Sequence, residues 1–131
     1  MINQEEINNH RYSLIPNQNL LIGENWVSSK SGKTQSIISP IDGKVISKLQ
    51  VANILDVNEA VISAREVFDK GHWSNMPPLN RKKIMLRIAE IIEEKILELT
   101  VLGVRDNGTE FNMALRAEPG SAAGTFRYYA E

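Results

Sequence analysis

The residue types that could do covalent or acid–base chemistry are few in this chain, and their spacing is poor. There is no cysteine among the 131 residues, which removes a thiolate nucleophile, thiolate metal sites and disulfides together. The two histidines, His10 and His72, cannot be joined into a ligand set from spacing alone. Glu93 and Glu94 are adjacent, and neighbours on a helix point in different directions, so the two carboxylates cannot share one substrate. Ser31-Gly32-Lys33-Thr34 has the ending of a phosphate-binding loop. That motif needs a glycine where Val27 stands, and here the segment joins two expected strands instead of a strand and a helix. Asn107-Gly108-Thr109 fits the glycosylation sequon, but it falls where a helix should end and reads as the terminating turn. The clusters His72-Trp73 and Phe126-Arg127-Tyr128-Tyr129 read as core or interface.

The elements that would have to carry these residues are easier to see. From Met76 to Gly108 apolar residues recur at Ile84, Ile88, Ile91, Ile92, Ile96, Leu99 and Leu102, the spacing of one wide helical face. Lys83, Arg87, Glu90, Glu94 and Glu98 take the other face. Pro78 suits the first helical position, and Gly108 suits the left-handed residue that closes a helix. The expectation is one helix of roughly 25 to 30 residues, about 40 Å long at 1.5 Å per residue. Arg81, Lys82 and Lys83 crowd its start, where the helix dipole disfavours cations. They read as a solvated face, with an acidic partner as the alternative.

Ahead of this helix, residues 1–18 are polar and look like a loosely held arm. Leu20–Ile22 and Trp26–Val27 flank a bend at Gly23-Glu24-Asn25. Thr34–Ile38 and Lys44–Ala52 are expected strands, separated by the turn Ser39-Pro40-Ile41-Asp42-Gly43, and the whole suggests an antiparallel meander. Val45, Ser47, Leu49 and Val51 share one side of the last strand by alternation. Asp56, with Glu59 three residues later, predicts a capping box. The helix that follows has a buried stripe of Val57, Ala60, Val61, Ala64, Val67 and Phe68, and Gly71 stops it. After Gly108 come a short segment Glu110–Glu118 and a last helix opened by Pro119. There Ala122, Ala123, Phe126, Tyr129 and Ala130 share a face, and Gly120 and Gly124 would allow close backbone approach.

Composition limits the function classes. Hydrophobic residues at 42% and charged residues at 24% fit a globular protein. A net charge of −1 gives no electrostatic case for nucleic acid. No apolar run approaches the ~20 residues that cross a bilayer, so no membrane association is expected. The start MINQEEINNHRYSLIP lacks a basic region followed by an apolar run, so a secretory signal is not expected and the cytoplasm is the expected compartment.

Taken in order, LLIGENWVSSKSGKTQSIISPIDGKVISKL, DVNEAVISAREVFDKGHWSNMPPLNRKKIMLRIAEIIEEKILEL, RDNGTE and PGSAAGTFRYYAE resemble the N-terminal segment of the NAD(P)-dependent aldehyde dehydrogenases. Pro40 and Gly43 match the family's turn between early strands, Trp73 and Pro77–Arg81 its helix entry, and Asp106-Asn107-Gly108 its helix exit. Phe68–Ser74 and the lead-in RYSLIPNQNLL look most like the branch acting on aminoaldehydes, including the gamma-glutamyl-aminobutyraldehyde enzymes. Thr109, Glu110 and Gly103 depart from the family pattern, and a glycine inside a helix costs about 1 kcal/mol relative to alanine.

The resemblance implies an α/β fold in which N-terminal antiparallel strands are followed by three or four helices. It would be a partial Rossmann-like coenzyme-binding domain, with 1–18 as an arm and 19–131 as the incomplete domain. It implies NAD or NADP as cofactor of the full-length family. The family reaction oxidises an aldehyde to a carboxylic acid through cysteine attack, hydride transfer and glutamate-assisted hydrolysis. None of those catalytic or coenzyme-binding residues can be carried onto this chain, so no cofactor and no activity are expected of it alone. A structural monovalent cation is implied near the Ile38 carbonyl and Asp106. The expected role is therefore that of an N-terminal piece of an aldehyde dehydrogenase. Its expected partners are the remainder of such an enzyme or its subunits, with self-association through exposed apolar surface. The alternatives are a non-catalytic remnant that joins aldehyde dehydrogenase subunits and a plain interaction module.

Overall fold

A computed structural model describes residues 2–131. The chain divides into two units: one gathers the N-terminal arm through Leu14, Ser39–Lys44 and Pro77–Glu131, the other Ile15–Ile38 and Val45–Met76.

The second unit holds the strands. β1 (Leu20–Ile22) and β2 (Asn25–Val27) form an antiparallel hairpin in which Leu21 opposes Trp26. Gly23, at φ 62°, occupies the first position of a two-residue turn, the place that a type II′ turn reserves for glycine. A Cβ there would also lie 2.9 Å from the Ser63 hydroxyl oxygen. β3 (Thr34–Ile38) pairs antiparallel with β4 (Val45–Gln50) as a separate two-stranded sheet. The three-strand meander expected from the sequence therefore does not form. After Val27 the chain leaves β2 to make a loop held partly by side chains, with the Ser29 N–H donating to Gln50 Oε1 at 3.0 Å, and partly by its own backbone, with the Gly32 N–H donating to the Ser29 carbonyl at 2.9 Å.

Between the pairs Ile37–Ser47 and Ile38–Val45, β4 carries one residue more than β3. The simple alternation that put Val45 with Ser47 and Leu49 is interrupted there. Ser47 is buried, whereas Val45 and Leu49 are exposed. The arm contributes to this sheet: Gln18 bridges in parallel to β4, donating to the Lys48 carbonyl at 2.9 Å and accepting from the Gln50 N–H at 3.0 Å.

α2 (Ile54–Lys70) begins three residues earlier than the sequence suggested. Asn53 is the cap: its side chain accepts from the Leu55 and Asp56 N–H groups, and Asp56 completes the capping box by accepting from the Asn53 N–H. Both Asn53…Asp56 and Asp56…Glu59 satisfy the capping-box pattern, and the earlier one wins because it uses Asp56 as the returning carboxylate. Gly71 ends the helix in the left-handed conformation, as expected.

The first unit is helical. α1 (Gln4–Arg11) lies inside the polar arm and is opened by an Asn3–Glu6 capping box, a signal the arm's low hydrophobicity hid. The expected single long helix is two helices, α3 (Pro78–Glu94) and α4 (Ile96–Asn107), because Lys95 leaves helical geometry at φ −103°, ψ 18°. No glycine or proline marks this break. The two segments pack differently, α3 along α6 (Pro119–Ala130) and α4 against α1 and α5 (Phe111–Ala117). Pro78 opens α3, Gly108 closes α4 in the left-handed conformation, and Pro119 opens α6. α4 runs unbroken through Gly103.

The buried core of this unit is made of small residues: Ala89, Thr100, Val101, Ala114, Pro119, Ala123 and Ala130. In α6 only part of the expected face is covered, since Ala123 and Ala130 are buried while Ala122 and Tyr129 are exposed. Gly120 and Gly124 face open space, so the close-approach reading of these glycines is corrected. Glu93 reaches across to Arg127 on α6 while Glu94 bonds Arg87 on its own helix, which confirms that the adjacent carboxylates diverge. Lys82 pairs with Glu131 at 2.8 Å.

Candidate functional site

The most elaborate polar arrangement of the strand-bearing unit is centred on Asp56, which is 2% exposed. Its Oδ2 accepts from the Ser29 hydroxyl at 2.8 Å and from the Asn53 N–H at 2.9 Å, and its Oδ1 accepts from the Lys30 N–H at 3.0 Å. Three donors on one carboxylate favour its ionised form. Its pKa is lowered, chiefly by the Asn53 N–H, against burial that acts the other way. Lys30 forms an ion pair with Glu59 of α2, and this hydrogen-bonded partner raises the lysine pKa. Around the knot, the Ser29 and Ser31 hydroxyls lie 2.9 Å apart, and the Lys33 N–H donates to Ser31 Oγ at 3.3 Å. Ser31-Gly32-Lys33-Thr34 thus runs from the loop after β2 into β3 with its serine hydroxyl already bonded to Ser29 and the Lys33 N–H, and it is no phosphate cradle. The arrangement fastens a loop to the first turn of a helix and leaves no free acid or base.

Beside Asp56 lies an open groove of about 380 Å³ between β1 and α2, walled by Leu20, Leu21, Val57, Ala60, Val61 and Ala64. Val57, Ala60, Val61 and Ala64 of the α2 stripe expected to be buried form this wall, and the structure leaves the stripe uncovered. Val61 is 61% and Phe68 59% exposed, and Asp56 is the helix's one buried residue. Trp26 on β2 is 63% exposed. In the helical unit Leu79, Ile84, Ile91 and Leu102 are likewise exposed, so the stripe of α3 and α4 is covered only in part. Large apolar side chains outside run against their usual preference for the interior, and exposed patches of this kind occur at interaction surfaces and ligand grooves.

The residues expected to hold a monovalent cation fall in different units. Ile38 ends β3 and is half exposed, and Asp106 is exposed in the last turn of α4. Among the described residues no group of three or more histidine, aspartate or glutamate side chains could hold a metal. Among them, too, no helix is long and apolar enough to cross a membrane. His72 follows the α2 terminator in a turn and is exposed. Sequence reasoning missed the central role of Asp56, which it placed at the cap. The signal available was weak: Ser29 is one of three serines, Ser28, Ser29 and Ser31, around Lys30, and nothing local singles it out.

The fold is a mixed α/β arrangement with antiparallel strand pairs ahead of its main helices, and it carries a large uncovered apolar surface. The aldehyde dehydrogenase family model matches residues 26–131. The chain belongs to the aldehyde dehydrogenase family. It is 37% identical over 127 residues to the cytosolic 10-formyltetrahydrofolate dehydrogenase of Xenopus tropicalis, a match covering 97% of this chain and 14% of that protein. It is 40% identical over 111 residues to the mitochondrial aldehyde dehydrogenase family 2 member B4 of Arabidopsis thaliana, covering 85% of this chain and 21% of that one. Among solved structures, apo indole-3-acetaldehyde dehydrogenase superposes with a TM-score of 0.92 at 28% identity, covering 99% of this chain and 30% of that chain. The gamma-glutamyl-gamma-aminobutyraldehyde dehydrogenase of Burkholderia cenocepacia gives 0.91 at 29%, covering 98% and 26%.

The chain therefore spans about a seventh of the first curated relative's length. The mixed α/β class expected from the sequence holds and the fold is that of Rossmann-like aldehyde dehydrogenase chains, but five helices follow the strands in place of the expected three or four, because the long helix is divided at Lys95. Relatives solved with NAD+ attest the cofactor of the family. No two of this chain's glycines fall two positions apart, the spacing of the Gly-x-Gly dinucleotide-binding turn.

Proposed function

We propose that this chain is a scaffold segment of an aldehyde dehydrogenase, supplying part of the coenzyme-binding domain while NAD(P)-dependent oxidation of an aldehyde to a carboxylic acid is done by residues outside these 131. The observation that carries this reading is the uncovered apolar face of α2 with β1, joined to the absence of any cysteine. What these residues supply is position: Asp56 holds the Ser29–Lys30 loop against the α2 N-terminus, and the exposed stripe offers the surface on which the rest of such a domain is built. On this reading the remainder of an aldehyde dehydrogenase chain, or its subunits, is the partner. In its absence the apolar face drives self-association. The chain alone binds no NAD. Calorimetric titration of the purified chain with NAD and NADP tests this: no heat of binding is expected, and micromolar affinity would overturn it.

The runner-up reading is a non-catalytic module that associates with whole aldehyde dehydrogenase subunits. The same exposed face supports it, and it predicts co-purification with an intact family member added in excess. The aminoaldehyde branch is supported by the likeness to the gamma-glutamyl-gamma-aminobutyraldehyde dehydrogenase of Burkholderia cenocepacia. A cytoplasmic location is supported by the relatives named as cytosolic, beside others named as mitochondrial. The cation role of the Ile38 carbonyl and Asp106 rests on the family resemblance. It predicts that sodium or potassium raises the melting temperature of the whole enzyme and that Asp106→Asn abolishes that increment.

A further inference from the structure

The helical unit contains a second cavity, separate from the apolar groove of α2. α1 turns Gln4, Ile7 and Arg11 toward it, and α4 turns Val101, Val104 and Arg105. These are the i, i+3, i+7 and i, i+3, i+4 positions of single helical faces. Ile41 and Phe111 complete a cavity of about 380 Å³, within the size range of small-molecule sites.

Its chemistry is two-sided. Five of the lining residues are apolar, and the two charged ones are both arginines. Among the described residues no carboxylate lines the cavity, and none forms an ion pair with Arg11 or Arg105. Arg105 is held in place by one nitrogen only, Nη1, which donates to the His10 carbonyl at 3.1 Å and the Ser13 carbonyl at 2.9 Å. The remaining N–H groups of its fork are unspent. Arg11 stacks on the ring of Tyr12, 5.4 Å from its centroid, which fixes the guanidinium without neutralising it. Two permanently charged guanidiniums beside an apolar wall are the complement of a carboxylate carrying an apolar tail.

We propose that this cavity binds an amphipathic monocarboxylate, with the carboxylate on Arg11 and Arg105 and the tail along Ile7, Val101, Val104 and Phe111. A bare phosphate would satisfy the arginines but leave the wall uncovered, and an alcohol of the same length would do the reverse.

Amide NMR titration of the full 131-residue chain with octanoate, octan-1-ol and inorganic phosphate tests the assignment. Octanoate is expected to saturate and to move amides of α1 and α4. Octan-1-ol should bind about tenfold more weakly, a difference of roughly 1.4 kcal/mol, and phosphate should not displace octanoate. Arg11→Gln, which gives up only the stacking on Tyr12, should weaken octanoate about tenfold. Val104→Trp, which fills the cavity, should abolish binding with the α1 amide pattern retained. Equal binding of octanoate and octanol, displacement by phosphate, an unaffected Arg11→Gln variant, or shifts confined to β1 and α2 would each overturn it.

Discussion

The carboxylate of Asp56 accepts the hydroxyl hydrogen of Ser29 at 2.8 Å while accepting the N–H of its own cap residue, Asn53, at 2.9 Å. One buried side chain therefore closes a helix start and pins a loop between two sheets that do not pair with each other. Its lowered pKa sets a pH signature. A carboxyl whose folded pKa lies below its unfolded value of about 3.9 stabilises the fold fully above that value, and the contribution is lost as pH falls through the folded pKa. Thermal melts should be flat from pH 7 to about pH 5 and fall below about pH 4, and Asp56→Asn should melt lower at neutral pH with a shallower acid limb. An unchanged acid limb in the variant would remove Asp56 from this role.

Asn53 is a separable part of the same knot. Asn53→Ala removes the acceptor for the Leu55 and Asp56 N–H groups and should cost about 1 kcal/mol, read as a shift of the urea midpoint with an unchanged slope. Glu59→Ala, the position the sequence alone assigned to the returning carboxylate, should leave the cap intact.

These two residues show where sequence reasoning stopped. Local signals were legible: Pro78, Gly71, Gly108 and Pro119 sit where their backbone preferences require, and the apolar periodicity located the helices. What sequence could not show was competition decided by distant groups. Asp56 satisfies the capping pattern in two registers, and Ser29 and the Lys30 N–H, far away in sequence, determine which register forms. Lys95 breaks a helix with no breaker present, because α3 and α4 pack on different neighbours. The apolar stripe of α2 was read correctly as a face. Its covering was not, since periodicity says which side seeks burial and nothing about what stands there.

Gly71 has φ 75°, and a Cβ there would lie 2.1 Å from Asn75 Nδ2. Gly71→Ala should destabilise the strand-bearing unit by about 1–2 kcal/mol through the left-handed backbone alone. Adding Asn75→Ala should recover only the part due to contact, which a two-variant denaturation series separates.

Gly103 is a different kind of glycine, helical and crowded only by the Glu118 carboxylate at 2.4 Å from its would-be Cβ. In an Glu118→Ala background, Gly103→Ala should stabilise α4 by about 1 kcal/mol, the helix-propensity difference. In the native background the gain should shrink, because Glu118 must leave its bond to Asn107.

The exposed face of α2 carries a solution prediction. Val61→Asp with Phe68→Asp should lower the apparent mass in sedimentation as concentration rises and leave the far-ultraviolet spectrum unchanged. Self-association that persists undiminished would place the contact elsewhere.

On the proposed reading this chain supplies position, and the chemistry of aldehyde oxidation is done by other residues. The direct measurement is NAD and NADP reduction by the purified 131-residue chain over a panel of aliphatic, aromatic and amino aldehydes. Rates equal to buffer are expected for every pair. Turnover with any aldehyde that scales with the chain's concentration and survives repurification would contradict it.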